Sequence, residues 1–350
     1  MRRSACSAPG QVSSRTVAQG SLLGVLGPSA SSPSPRVIAV VVAYNRRQLL
    51  VEALDALAAQ DRPLDAVLVV DNASDDGSKD AAAQHTVGAT VLALDENTGG
   101  AGGFTVGIAH AVDVLGADLV WLMDDDTIPT STALAALLRA REEYDGPVAV
   151  LGSRVVWHDG RDHPMNTPRP RPGATPAELA SARAAGGTPV RSSSFVSMLV
   201  DARAVRFHGL PVADYFIWND DFEFSARLLR RGTGLAVHAS VVEHRTKSFG
   251  ATDADPGERF YFEVRNKTWM LLRSASLGPF ERVLYGGATL RRWFRTLRRS
   301  RSGGVLVRSG ARGLRDGLLR APRPNVDVLR SAGIDLGPVA RLDRGRRGAA

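Results

Sequence analysis

Three consecutive carboxylates, Asp124-Asp125-Asp126, follow the apolar run Leu119-Val-Trp-Leu-Met123 and precede Thr127-Ile-Pro129. Adjacent like charges raise one another's pKa and destabilise a fold unless a cation sits among them. On a strand, side chains alternate, so Asp124 and Asp126 share one side and Asp125 takes the other. Two oxygen ligands on one side suit a hard cation, Mg2+ or Mn2+, with water and a substrate diphosphate completing its shell. By itself the triplet also fits a solvated acidic turn, or the start of a helix over 130–140 behind Pro129.

A second acidic group, Asp220 and Asp221, lies within Trp218-Asn-Asp-Asp-Phe-Glu223, at the start of a helix that Gly232 ends. A helix N-terminus keeps such carboxylates ionised and therefore weakly basic. Weak basicity suffices to take the proton of a hydroxyl that acidifies as it attacks an oxocarbenium-like carbon. Trp218 offers an apolar face for a sugar ring. An N-cap with first-turn charges explains one of these aspartates but not the whole cluster. Between them in sequence, Asn97-Thr-Gly-Gly-Ala-Gly-Gly-Phe104 places four glycines in five residues where a strand meets a helix. Such a loop lets backbone N–H groups approach a phosphate or sugar, although its spacing is neither a dinucleotide fingerprint nor a P-loop. Asp71 ends an apolar run at a place suited to a base or ribose, or to an Asx turn running to Gly77. His244 follows the last apolar run and is a candidate third metal ligand. His85, His110, His208 and His238 read as structural.

These residues need strand ends to carry them. Residues 37–43 are β-branched without alternation, as in a strand covered on both faces, and helical spacing follows to Gln60. Further strands are predicted at 66–70, 91–94, 119–123, 148–152, 194–200 and 235–242, with helices at 103–115 and 220–230. The alternation predicts an α/β fold with a mostly parallel sheet, whose ligands gather at the carboxyl ends of strands. Residues 159–192 read as a long loop or flap holding one short helix, opened by the capping box Thr175-Pro-Ala-Glu178.

With 350 residues and 44% apolar content the chain is large enough for a sizeable core, and its single cysteine, Cys6, excludes an intramolecular disulfide or a cysteine-based zinc site. No apolar run is long enough to cross a bilayer. Residues 281–350 carry 17 Arg against 5 Asp and Glu, a surplus of twelve positive charges that offsets a negative remainder and gives the net +8. This basic tail suits an anionic membrane surface; no nucleic-acid partner is expected. Three segments are therefore predicted: a disordered leader over 1–35, reflecting an over-early start codon; a catalytic domain over 36–255; and a basic, mainly helical extension over 256–350 with a disordered end.

Taken together, Val40-Val-Val-Ala-Tyr-Asn45, Val70-Asp-Asn-Ala-Ser-Asp-Asp-Gly77, Asn97–Phe104, Trp121–Asp126, Trp218–Glu223 and His244 resemble the family 2 glycosyltransferases with a GT-A fold. The chain is similar in particular to actinobacterial cell-wall galactofuranosyltransferases and their rhamnosyltransferase relatives. The resemblance implies a nucleoside-diphosphate sugar donor, Mn2+ or Mg2+, inversion at the anomeric carbon, and a glycan or polyprenyl-diphosphate-linked acceptor at the inner face of the plasma membrane. It assigns Asp124, Asp126 and His244 to the metal, and Asp71, Tyr44, Asn97, Gly99, Gly100, Gly102, Asp124 and Asp125 to the donor. Trp218 and Glu223 fall to the acceptor. Asp221 becomes the general base, with Asp220 as the alternative because Asn219 adds a residue before the acidic pair. Within Arg259–Lys267, the Arg and Lys residues are candidates for a lipid-linked diphosphate, or simply for a surface helix. Two other readings are a sugar-phosphate nucleotidylyltransferase, which calls for a Gly-rich, Lys-bearing loop after the first strand where this chain has Tyr44-Asn-Arg-Arg47, and a non-enzymatic polysaccharide or nucleic-acid binder.

Overall fold

A computed structural model describes residues 34–246, 249 and 255–347, with side chains through 343. The predicted leader, except for its last two residues, and the extreme end of the extension lie outside the described residues. Strand β1 (Val37–Ala43) is buried along its whole length because alternate residues feed two cores. Ile38, Val40 and Val42 join Leu68, Val70, Phe104 and Leu122 on one face, while Val37, Ala39 and Val41 join Leu50, Leu54, Trp121 and Met123 on the other. This double burial is why the run shows no alternation.

Helix α1 (Arg47–Ala58) leads to β2 (Ala66–Asp71), then α2 (Ser78–Gln84), β3 (Thr90–Ala93), α3 (Gly99–Asp113) and β4 (Leu119–Asp124). Strands β2 and β4 flank β1 in parallel, and β3 lies parallel outside β2. The chain thus moves out to one side of β1 and returns on the other. Such a switch point opens a crevice at the carboxyl ends of the strands.

The rest of the sheet is built differently. Strand β5 (Thr127–Pro129) and helix α4 (Ala133–Glu143) precede β6 (Val150–Val156), β7 (Arg169–Pro170), α5 (Pro176–Ala184), β8 (Gly187–Ser192) and β9 (Met198–Asp201). Helices α6 (Ala202–His208) and α7 (Asp220–Leu228) lead to β10 (Gly234–His244). The sheet order is β3-β2-β1-β4-β9-β6-β10-β8-β7, with β5 against β10. Strand β9 runs antiparallel to both β4 and β6, so this half is antiparallel in part and the ten-stranded sheet is mixed. The strand predicted over 194–200 resolves into a single 3-10 turn at Phe195–Ser197 followed by β9, and the stretch 159–192 predicted as a loop with one helix also carries β7 and β8. The capping box forms as read: Thr175 Oγ1 accepts from Glu178 N at 3.2 Å, and Glu178 Oε2 from Thr175 N at 2.8 Å.

Five helices follow: α8 (Phe260–Arg273), α9 (Pro279–Arg299), α10 (Gly303–Leu319), α11 (Asn325–Val328) and α12 (Gly337–Arg347). Helix α10 meets α8 through glycine; a Cβ on Gly313 would stand 2.5 Å from the Tyr261 carbonyl oxygen. Helix α12 returns to α3, where Arg341 pairs with Asp113 at 2.7 Å. Among the described residues no helix is long and apolar enough to cross a membrane.

Candidate active site

The sheet register sets the first carboxylates. Ala43 pairs with Asp71 and Val42 with Asp124, so these two side chains leave strand ends on either side of β1, about 10 Å apart across two strand spacings. After Asp126 the chain forms β5, whose Thr127 lies opposite His244 in an antiparallel ladder. That pairing, together with the Arg245 N–H donated to the Asp126 carbonyl at 2.9 Å, carries His244 to the triplet from more than a hundred residues away. Ligand atoms of Asp124, Asp126 and His244 all lie within 4.8 Å of one another.

These residues fit a divalent cation. Asn166 Nδ2 donates to Ser194 Oγ at 3.0 Å, which turns its amide oxygen toward His244 Nδ1 at 2.9 Å. An acceptor there calls for a proton on Nδ1 and leaves the Nε2 lone pair facing Asp126 Oδ1, 3.3 Å away. That carboxylate oxygen is buried and has no hydrogen-bond donor among the described residues. A lone pair aimed at an orphaned carboxylate oxygen is repulsive unless a cation lies between them.

The triplet's second neutralising charge is one the sequence reading missed. Arg46, just after β1, reaches Asp126 at 2.6 Å and Asp125 at 3.0 Å. Burial, then the charges of Asp126 and Asp125, push Asp124 well above the usual carboxylate range. Asp125 is pushed up to about 6 by burial, held back by Arg46 and by the Tyr44 N–H it accepts at 2.9 Å. Asp126 is also buried, but a His244 ring protonated on Nε2 would, with Arg46, outweigh that effect and bring it below the ordinary value; a bound metal would take that proton's place between the two groups. The Tyr44 ring itself is exposed at the mouth. Asp71 is buried; its Oδ2 accepts from Ser74 N at 3.2 Å, and its Oδ1 has no donor among the described residues.

The glycine-rich stretch takes a different form from the predicted loop. It is the first turns of α3, and most of its glycines serve packing. Gly99 has φ +70°, and a Cβ there would stand 2.1 Å from the Phe216 carbonyl oxygen. A Cβ on Gly102 would meet Thr98 Oγ1 at 2.3 Å, and one on Gly103 the Val42 side chain at 2.6 Å. Of the three glycines expected at the donor, Gly100 alone borders the acidic pair, with Asp220 Oδ2 4.0 Å from where its Cβ would be; Gly99 and Gly102 are bare because backbone and side chains press on them. Asn97 is likewise occupied, accepting from Gly99 N at 2.8 Å. Asn72 pins the turn by donating to the Gly99 carbonyl and accepting from Thr98 N at 2.8 Å.

Asp220 and Asp221 open α7 after a strained approach: Phe216, Trp218 and Asn219 all have φ between 63° and 67°. Side chains in that left-handed region persist only where their surroundings hold them. The holder is α8. Asn266 Nδ2 donates to the carbonyls of Tyr215, Ile217 and Trp218, each at 2.9 Å. Arg265 donates to the Asp214 and Tyr215 carbonyls, and Asn219 Nδ2 to Glu263 Oε2 at 3.0 Å. Arg265 is therefore a brace, neither a surface residue nor a ligand contact.

The two aspartates face different neighbours. Burial, then Asp221, pushes Asp220 up to about 8, and Asp220 in turn acts on Asp124. Asp221 is raised by burial, opposed by the Phe222 N–H, Ser194, Lys267 and Arg169. Ser194 therefore joins two functions, touching Asp221 on one side and the His244-positioning Asn166 on the other. Trp218 remains partly exposed beside the pair. Glu223 departs from its expected acceptor role: it is 1% exposed, ion-paired with Arg227 at 2.9 Å and bonded to Ser274 Oγ at 2.7 Å. One helical turn beyond Asp220, the side chain points into the α7–α8 packing because α7 rotates it there. It lines a separate cavity of about 360 Å³ with Trp269, Arg273 and Pro322. Arg46, Asn166, Ser194 and Asn266 are the residues that sequence reasoning missed; only the polar content of the apolar-sided run at 263–267 offered any signal.

Residues 38–204 match the family model "Glycosyl transferase family 2". Galactofuranosyltransferase GlfT1 of Mycolicibacterium smegmatis is 31% identical over 296 residues, which covers 76% of this chain and 96% of the relative. The Mycobacterium tuberculosis protein of the same name is 33% identical over 255 residues, 67% of this chain and 82% of the relative. Among solved structures, S. aureus TarS 1-349 superposes with a TM-score of 0.55 at 17% identity, covering 90% of each chain. The mannosyltransferase PcManGT from Pyrobaculum calidifontis, in complex with GDP-Man and Mn2+, gives 0.51 at 19% identity over 90% of this chain and 87% of that one.

Proposed function

The chain belongs to glycosyl transferase family 2 and has the GT-A fold, and from that premise we propose that it is a metal-dependent, inverting galactofuranosyltransferase acting on a polyprenyl-diphosphate-linked glycan. The observation that carries the reading is the Asp124–Asp126–His244 cluster beside the orphaned oxygen of Asp71, with the Asp220–Asp221 pair across the crevice. A rhamnosyl donor is the second choice; the galactofuranosyl relatives tip the balance.

In this reading Asp124, Asp126 and the Nε2 of His244 hold Mn2+ or Mg2+, which when bound neutralises the diphosphate that leaves the donor. Asp71 accepts hydrogen bonds from the nucleoside, and Tyr44 covers it from the rim. Gly100, bare at the start of α3, lets the donor approach Asp220. The acceptor hydroxyl lies against Trp218 and gives its proton to Asp221 as its oxygen bonds to the anomeric carbon and the carbon–diphosphate bond breaks on the opposite face. Asp221 suits this role better than Asp220 because Lys267 and Arg169 favour its ionised form. Helix α9 supplies membrane contact: Phe280, Val283, Leu284, Leu290 and Phe294 are exposed along it among arginines, the composition of a helix lying in a bilayer interface. The site of action is the cytoplasmic face of the plasma membrane.

The test is turnover. With Mn2+ and a panel that includes UDP-galactofuranose and dTDP-rhamnose, the full chain is expected to release nucleoside diphosphate, and Asp221→Asn to slow transfer by about a hundredfold or more. Failure of every donor would sink the reading.

A further inference from the structure

Lys267 is 7% exposed, yet its ammonium makes no hydrogen bond or ion pair among the described residues. Two more cations stand near it, Arg169 from the short strand β7 and Arg292 from α9; neither side chain has a carboxylate within ion-pair distance among the described residues. Two rings floor the group. Phe222 lies 5.2 Å from the Lys267 ammonium and 5.3 Å from the Arg169 guanidinium, and Tyr285 lies 5.7 Å from that guanidinium and 5.4 Å from Phe222. Four elements distant in sequence therefore converge on one cationic seat beside Asp221.

We infer that Lys267, Arg169 and Arg292 form an anion seat for the diphosphate of a lipid-linked acceptor, set so that the glycan it carries reaches Asp221. Gathering positive charge around a buried lysine is costly, and a multivalent anion is the ligand that offsets the cost. Burial, with Arg169 and Arg292 adding to it against Glu263 and Asp221, brings Lys267 down to about 8. The donor's own diphosphate belongs elsewhere. Asp220 acts on Asp124, whereas Asp221 acts with Lys267 and Arg169, so the pair divides a donor side from an acceptor side. Arg292 and Tyr285 also sit on α9, whose exposed apolar stripe gives a prenyl chain somewhere to lie as it leaves the seat. Charge identifies the phosphate and the stripe identifies what is attached to it.

This seat rests on the glycosyltransferase reading, but the two can fail separately. Farnesyl diphosphate is titrated into the full chain in EDTA, where the metal cluster cannot hold a diphosphate. Arg169→Ala/Arg292→Ala, both at exposed positions, is expected to weaken binding more than tenfold, and Lys267→Met at least as much. Inorganic pyrophosphate, which lacks the chain, should bind more weakly than farnesyl diphosphate, and farnesol, which lacks the charge, should bind equally to wild type and double variant. Unchanged farnesyl diphosphate affinity in the double variant would overturn the seat, as would its displacement by UDP without metal, which would assign the binding to the donor side. Wild-type donor hydrolysis, measured in parallel without acceptor, reports on the catalytic reading alone.

Discussion

Along one rim of the crevice Asp71, Asp124 and Asp126 leave strand ends on either side of β1, while along the other Lys267, Arg169 and Arg292 arrive from α8, β7 and α9. The first rim is anionic and short of a cation; the second is cationic and short of an anion. Between them Asp220 is felt by Asp124, and Asp221 feels Lys267 and Arg169. The parts of the site also differ in how they are held. The acidic rim is set by backbone ladders, since the register that pairs Ala43 with Asp71 and Val42 with Asp124 needs no particular side chain. The loop that leads into the acidic pair is set by side chains instead, with Asn266 alone supporting the carbonyls of Tyr215, Ile217 and Trp218. A site that binds a diphosphate at each end needs opposite solutions at the two rims: at one the protein supplies the negative ligands of a metal, at the other the positive charge itself.

The contrast can be broken most directly at the metal rim. Asp126→Asn is expected to lower metal-dependent donor hydrolysis about a thousandfold, the equivalent of several kcal/mol of lost charge stabilisation; turnover that persisted without dependence on Mn2+ would leave the acidic rim with no catalytic role. Next in size is Glu223→Ala, which strands the Arg227 guanidinium and should cost about 3–5 kcal/mol in chemical denaturation, while the acceptor KM of the folded fraction stays put. A large rise in that KM would return Glu223 to the acceptor side.

Asn266→Ala removes three buried hydrogen bonds and should cost about 3 kcal/mol, with kcat falling more than KM because the acidic pair loses its support. Equal loss of stability with unaltered kcat would mean that the loop holds its shape unaided. Asn166→Ala frees the His244 tautomer and is expected to weaken Mn2+ binding roughly 10- to 100-fold, which calorimetry reads directly. The smallest effect concerns pH. Asp220 in the folded protein lies at about 8, above its unfolded value of roughly 4, so the native state holds this proton more tightly. Its contribution is complete below the unfolded value and is lost as pH rises through the folded one. In EDTA, melting temperatures should therefore fall between about pH 4 and pH 8, and Asp220→Asn should flatten that decline.

Much of the acidic rim was legible in the chain, because strands buried on both faces write themselves as β-branched runs and their carboxyl ends are where ligands collect. Asp71, Asp124 and Asp126 could be pointed to by that rule, and the Asp220–Asp221 pair by its clustering with Trp218 and Glu223 at a helix start. The glycines show where the rule stops: four in five residues read equally well as a phosphate loop or as a helix pressed against a strand, and the choice depends on Phe216 and Val42, which are distant in sequence. Glu223 was misplaced for a related reason. Its charge is visible in the sequence, but the rotation of α7 that turns it inward against Arg227 is not.

The order of residues by itself determined the doubly covered strands, the positions of the acidic clusters at their ends, and the excess of arginine in the last seventy residues, since these follow from local pattern and charge. Tertiary structure alone decided that β5 pairs with β10 to deliver His244, that Arg46 folds onto the triplet, and that Lys267 and Arg169 share the Phe222 ring. Each of those depends on a register or a packing contact between distant segments, and neither composition nor periodicity encodes the distance between two residues that the chain brings together only on folding.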